Sequence, residues 1–349
     1  MEVKVPPNLI LEVRDLRKWF PVKMGLLATL RRARKLYVKA VDGISFRIKR
    51  GETFALVGES GCGKTTTGRL VLRLLEPTGG KIIFDGKDIT RVPEKELKKD
   101  FRKKTSMIFQ DPYASLNPRF TVYDTIAEPL NIHNIGSFED RVEIVSKLLE
   151  EVKLTPVEDF LWRFPHQLSG GQRQRVAIAR ALALNPVFVV ADEPVSMLDL
   201  SIRAEILQLM RELQRKHNLT YLYITHDLST ARYFCDRIAV MYLGKIVEMG
   251  SVDDVIDNPL HPYTKALIAA VPEPDPSNRK RMREVPIKGE VPSPINIPPG
   301  CRFRNRCVAY DNAPKEIRRL CRDREPPLVE AIPNHYVACW LYAKDYVKA

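Results

Sequence analysis

Apolar and polar positions alternate in GISFRIKRG, where Ile44, Phe46 and Ile48 share one face, and this predicts a strand with a single buried side. Residues 81–84 predict a second short strand, closed by an Asp85-Gly86 turn. Between them, ETFALVGESGCGKTTTGRLVLRLLEP reads as an apolar strand, a glycine-rich loop and an amphipathic helix. From Asp111 to about Gln167 the period lengthens to that of helices, most clearly in VEIVSKLLEEVKL. A helix then starts near Gly170, followed by a buried strand at 187–191, a helix around 202–217 and a strand at 220–225. This β-then-α order predicts a mostly parallel sheet with helices on its faces.

The pattern changes near Asn258. Residues 271–300 hold eight prolines in thirty positions, which excludes a long helix and predicts an extended strap. A cysteine-bearing tail follows, and no internal repeat or low-complexity segment interrupts the chain. The expected organisation is a domain over 8–257, with a helical subdomain at about 111–170, and a smaller C-terminal domain over 258–349.

Composition adds limits. With 44% hydrophobic and 28% charged residues the sequence is ordinary for a folded domain, and no apolar run reaches the length that spans a bilayer. The opening MEVKVPPNLILEV lacks the basic and apolar regions of a secretory signal, so a cytosolic setting is expected. A net charge of +13 admits nucleic acid, anionic lipid or phosphate-bearing ligands as partners. Its sharpest cluster, Arg31, Arg32, Arg34 and Lys35, reads first as a solvated loop.

Candidate chemistry begins with Gly58, Glu59, Ser60, Gly61, Cys62, Gly63, Lys64 and Thr65, which fit G-x-x-x-x-G-K-[ST] between a strand and a helix. In such a loop, backbone N–H groups and a lysine cradle phosphates while the hydroxyl of Thr65 meets magnesium, with Thr66 next in line. About 130 residues on, VFVVADE ends a buried strand in two carboxylates. Asp192 is placed to hold magnesium and Glu193 to polarise an attacking water. Gln110, closing the apolar run Met107-Ile-Phe, suits a residue reaching metal and water from the side. In LSGGQ, the hydroxyl of Ser169 and the N–H groups of Gly170, Gly171 and Gln172 open a second anion-binding helix. One ATP does not need two cradles on one chain, which points to nucleotides shared with a second subunit.

The phosphate loop, LSGGQ, VFVVADEP and Thr225-His226-Asp227, in this order over roughly residues 8–255, resemble an ABC ATPase subunit. The resemblance implies a P-loop NTPase fold of α/β class, with a RecA-like parallel sheet core, an antiparallel β subdomain and a helical subdomain. It also implies a head-to-tail dimer in which ATP lies between the phosphate loop of one subunit and the LSGGQ of the other. On the same ground His226 contacts the γ-phosphate, Asp199 acts across the dimer, and Phe20 stacks on adenine, with Trp19 and Tyr37 as competitors.

QDPYASLNP from Gln110, HPYTKAL from His261 and the tail PGCRFRNRC further resemble the oligopeptide/dipeptide importer family, in its second type of ATPase subunit. That family implies a second, unlike ATPase subunit, two membrane permease subunits and an extracytoplasmic solute-binding protein, with the chain peripheral on the cytoplasmic membrane face. Cargo stays open among peptides, oligosaccharides and nickel. The rival reading is a soluble ABC-type ATPase acting on nucleic acid; one cassette and a modest helical insertion disfavour it, and no nucleic-acid partner is expected.

Four cysteines crowd the last fifty residues in the pattern Cys301-x5-Cys307-x13-Cys321-x17-Cys339. In a cytosolic protein such clustering points to metal more than to disulfides, with buried free thiols as the plainer reading. Four thiolates suit zinc or a [4Fe–4S] cluster, and the family resemblance favours the cluster.

Overall fold

The computed structural model describes residues 8–22, 36–271 and 285–343. Arg31, Arg32, Arg34 and Lys35 fall outside them, as does the part of the proline strap at 272–284.

The described strands are β1 (Leu9–Pro21), β2 (Tyr37–Lys49), β3 (Thr53–Val57), β4 (Gly79–Phe84), β5 (Lys87–Asp88), β6 (Thr105–Ile108), β7 (Phe188–Asp192), β8 (Thr220–Thr225), β9 (Arg237–Tyr242), β10 (Lys245–Ser251), β11 (Val329–Ile332) and β12 (His335–Val337). The helices that matter below are α1 (Lys64–Val71), α2 (Val122–Ile132), α3 (Phe138–Glu151), α4 (Gly170–Leu182), α5 (Leu200–His217), α6 (Pro262–Ala269) and α7 (Lys315–Asp323). They belong to two compact units. Among the described residues, one comprises 8–11, 47–53 and 83–225; the other comprises 12–22, 36–46, 54–82, 226–271 and 285–343.

In the first unit β8, β7 and β6 lie side by side and parallel, with Val190 opposite both Leu222 and Met107. Every residue of β7 and β8 is buried, as strands covered on both faces require. Each fully buried Val, Leu or Ile contributes about 2 kcal/mol. Three helices start on reciprocal capping boxes: Thr121 with Asp124 for α2, Ser137 with Asp140 for α3, and Ser169 with Gln172 for α4. The apolar period alone placed the α3 helix over VEIVSKLLEEVKL; the Ser137 cap moves its start to Phe138, and Lys153, at φ 60°, stands beyond its end. The tip of β4 forms an antiparallel hairpin with β5 through Asp85 and Gly86, both at positive φ.

In the second unit β3 lies parallel to β9, and β9, β10, β12 and β11 continue antiparallel. Strands β2, β1 and β4 form a further layer in that order. The tail thus adds two strands beside β10, with Glu248 opposite Val337, which the sequence pattern did not reveal. It also builds a small core of its own from Ala313, Ile317, Val329, Val337, Trp340 and Ala343.

Candidate functional site: a phosphate loop and a carboxylate strand

In the second unit, the chain leaves the all-buried strand β3 and enters α1 through the phosphate loop. The glycines are obligatory here. At Gly63, φ is 113° and a Cβ would stand 2.1 Å from the carbonyl oxygen of Ala40; at Gly58 it would stand 2.3 Å from that of Met241. Lys64 is 5% exposed, and its ammonium donates to the carbonyls of Gly58 (2.7 Å) and Glu59 (3.0 Å), which curls the loop around it. No side chain caps the start of α1. Thr65 and Thr66 are half-buried at its first turn, Ser60 and Gly61 are exposed, and burial pushes the Cys62 thiol above its ordinary range. A buried lysine, a helix start without a side-chain cap and a neighbouring threonine hydroxyl fit a magnesium-bound polyphosphate.

Among the aromatic candidates upstream, Trp19 is held in place. Its indole N–H donates to Asp42 (2.8 Å), the Lys39 ammonium lies 4.6 Å from its ring centre, and Tyr37 is 6.2 Å away. The ring of Phe20 is half-buried under the Lys18 ammonium, at 5.1 Å. His226, exposed, directly follows β8.

The first unit carries the other predicted groups. Asp192 ends β7 and is 3% exposed. Glu193 follows at φ 47°, a conformation that costs a residue with a Cβ about 1–3 kcal/mol. Hydrogen bonds hold it there: its N–H donates to Ile224 (2.9 Å), and its carbonyl accepts from the Ser196 hydroxyl (3.0 Å). Its carboxylate accepts from the side-chain amide of Gln110 at 3.0 Å, so the structure pairs two residues chosen separately from the sequence. Ser169 caps α4, and Gly171 packs so closely that a Cβ there would lie 2.9 Å from Ile202. Asp199, exposed, precedes α5 without capping it through its side chain.

In the tail, Cys301, Cys307, Cys321 and Cys339 line one narrow cavity, and all four are free thiols. A hydrogen bond between the thiols of Cys301 and Cys321 lowers the pKa of the first and raises that of the second, while burial pushes the pKa of Cys339 up to about 12. Thiolates are a suitable donor set for iron–sulfur or zinc. Yet among the described residues no group of three or more side chains is arranged to hold a metal ion, so this structure does not support the expected metal centre. The thiols converge on one cavity without adopting ligating geometry.

Sequence reasoning passed over several residues that tie the tail down. Buried Glu248 accepts from the N–H groups of Leu260 (2.7 Å) and His261 (2.9 Å) and pairs with His335 (2.7 Å). Arg302 reaches Asp42, Leu243 and Glu325, and Arg306 reaches Glu59. The only sequence signal of Arg302 and Arg306 was their position inside PGCRFRNRC.

Comparison with known proteins agrees with this geometry. The ABC transporter family model matches residues 41–196, and the model for the oligopeptide/dipeptide transporter C-terminal region matches 247–312. The chain is 50% identical over 335 residues to the oligopeptide transport ATP-binding protein AppF of Bacillus subtilis, covering 96% of this chain and 98% of that protein. It is 48% identical over 330 residues to a putative peptide import ATP-binding protein of Brucella ovis, covering 95% and 97%. Among solved structures, the ATP-binding cassette MJ0796 bound to ADP and Pi, a dimer in a post-hydrolysis state, superposes with a TM-score of 0.60 at 32% identity, covering 70% of this chain and 99% of that one. CbiO1 of Clostridium perfringens, part of an ABC transporter complex, gives 0.60 at 29% identity, covering 72% and 92%. The chain is thus an ABC ATPase, and it belongs to the ABC transporter family, among the ATP-binding proteins that carry the oligopeptide/dipeptide transporter C-terminal region.

Proposed function

We propose that this chain hydrolyses ATP to drive import of oligopeptides or dipeptides through a pair of membrane permeases. One observation carries the reading: a phosphate loop with Lys64 seated inside it occurs in the same chain as the transporter C-terminal region. None of the described helices is long and apolar enough to cross a membrane, which suits a subunit bound peripherally to the cytoplasmic side of its permeases. The relatives' names support peptide as cargo over oligosaccharide or nickel.

The roles follow the chemistry of each group. Backbone N–H groups from Gly58 to Gly63, with Lys64, bind the phosphates, and Phe20 supports adenine. Thr65, Gln110 and Asp192 would hold magnesium, which neutralises phosphate charge. Glu193 orients and polarises the attacking water, Gln110 steadies Glu193 at the observed 3.0 Å, and His226 meets the γ-phosphate. Ser169, Gly170, Gly171, Gln172 and Asp199 act in trans, on the nucleotide of a second ATPase subunit of unlike sequence. An extracytoplasmic solute-binding protein delivers the cargo.

Purification with the membrane partners, followed by ATP-dependent uptake of labelled peptides into vesicles, tests the assignment. Uptake that requires ATP and an intact Glu193 is expected; ATP hydrolysis with no permease association and tight nucleic-acid binding would overturn it. For the tail, the family resemblance alone favours a [4Fe–4S] cluster, with zinc as the alternative, since the thiols share one cavity without ligating geometry. Anaerobic purification with iron analysis and an absorption spectrum tests this, and a colourless, iron-free protein excludes the cluster.

A further inference from the structure

The phosphate loop carries an acid where it should be least welcome. Glu59 directly follows Gly58, and a carboxylate beside a polyphosphate cradle repels the ligand's negative charge. The tail answers that charge. Arg306 donates both terminal nitrogens of its guanidinium to the two carboxylate oxygens of Glu59, at 2.9 and 3.1 Å. The Arg306 side chain is only 8% exposed, so solvent screens the pair poorly.

The surroundings fix this fork in place. The Arg306 guanidinium lies over the Tyr242 ring, 5.8 Å from its centre. The backbone of 301–307 is closed into turns: Arg304 N–H donates to Cys301 (3.1 Å), Arg306 to Phe303 (2.9 Å) and Cys307 to Arg304 (3.3 Å). Phe303 packs against Tyr242 and Tyr263 at 5.3 and 5.4 Å. Tyr263 in turn accepts the backbone N–H of Glu59 at 2.9 Å. Two side chains from beyond the cassette thus hold one residue of the phosphate loop, one by its carboxylate and one by its backbone. The segment bearing Arg306 begins and ends on Cys301 and Cys307, both lining the thiol cavity.

We propose that Arg306 is a positioning residue for nucleotide binding: it neutralises and holds the Glu59 carboxylate, so that the phosphate loop accepts ATP at full affinity only with the cysteine tail docked. This deepens the ATPase reading and rests on it. Docking through an arginine fork makes the tail a condition of nucleotide binding.

The test is ATP affinity of the full chain, by calorimetry, for wild type, R306A, R306K, E59Q and the E59Q/R306A double variant. R306A is expected to weaken ATP binding about tenfold and R306K about threefold relative to wild type. The decisive variant is the double one. Removing the acid should restore most of the affinity lost in R306A, whereas a merely structural role for Arg306 would leave the double variant as weak as R306A. That result, or an R306A affinity equal to wild type, would overturn the proposal. Should R306A fail to fold, R306K decides, and an unchanged affinity counts against the clamp. Absence of ATP binding by wild type would instead bring down the ATPase reading itself.

Discussion

Two helices of this chain begin where anions are expected, and they begin differently. At α1 the residue before the helix is Gly63 in a left-handed conformation, with no side-chain cap. At α4, Ser169 accepts from the N–H of Gln172 while the Gln172 side chain accepts from the N–H of Ser169, so the helix start satisfies part of itself. The difference matches the two tasks proposed above. A loop that wraps phosphates on its own chain is shaped by glycines and a buried lysine, and a side-chain cap would compete with the ligand for the same N–H groups. A surface offered to another subunit's nucleotide must stay ordered without it, and a capping box does that. A third start, at α6, is capped by the Nδ1 of buried His261, which accepts from the N–H of Tyr263 at 3.0 Å.

The sharpest way to break the contrast is Lys64→Ala. Loss of the loop's own cation is expected to reduce ATP hydrolysis by ~10²-fold or more, with binding lost as well and an unchanged circular-dichroism spectrum. Retained binding would show that the uncapped helix start suffices alone. Glu193→Gln separates binding from chemistry. It should cut turnover by ~10²-fold or more while ATP stays bound, and ATP-dependent dimerisation on a sizing column should increase. A variant that neither binds nor dimerises would contradict the role given to Glu193.

Acid tests the third helix start. Burial lowers the His261 pKa to about 4 from its ordinary value of 6.5. The unfolded chain therefore takes up a proton that the folded chain refuses, so this contribution is full above pH 6.5 and declines as pH falls towards 4. Urea unfolding at pH 7 and pH 5 should differ by about 2 kcal/mol from this group, and the difference should shrink in His261→Asn, whose side chain can cap without titrating. The smallest effect is expected from Ser169→Ala. Loss of the cap should cost about 1 kcal/mol, read as a melting temperature lower by a few degrees, with binding of ATP to the phosphate loop of the same chain unchanged.

Both helix starts were legible from sequence because each is local. GESGCGKT and LSGGQ place their glycines, hydroxyl and cation within a few bonds of one another, and backbone sterics leave them few ways to fold. The buried strands and α5 were legible for the same reason, since the apolar period reports burial directly. The boundaries of α3 were less so, because a cap worth about 1 kcal/mol outweighed the apolar period in setting where that helix starts. The Gln110–Glu193 pair was half legible. Each residue could be singled out, but their hydrogen bond joins positions 83 apart in the chain.

What the sequence by itself determined, then, is where the candidate chemistry lies: which loop carries the glycines and lysine of a phosphate cradle, which strand ends in carboxylates, which helix start carries LSGGQ. Tertiary structure alone decided what holds that chemistry in place. The tail's strands beside β10, the burial of Glu248 between His261 and His335, and the Arg306 fork on Glu59 all join segments far apart in sequence. Such partners are chosen by packing and by the need to pair buried charge, and neither leaves a periodic trace along the chain. The four cysteines stand between these cases: their spacing announced a cluster, and the fold brought them to one cavity without arranging them around a metal.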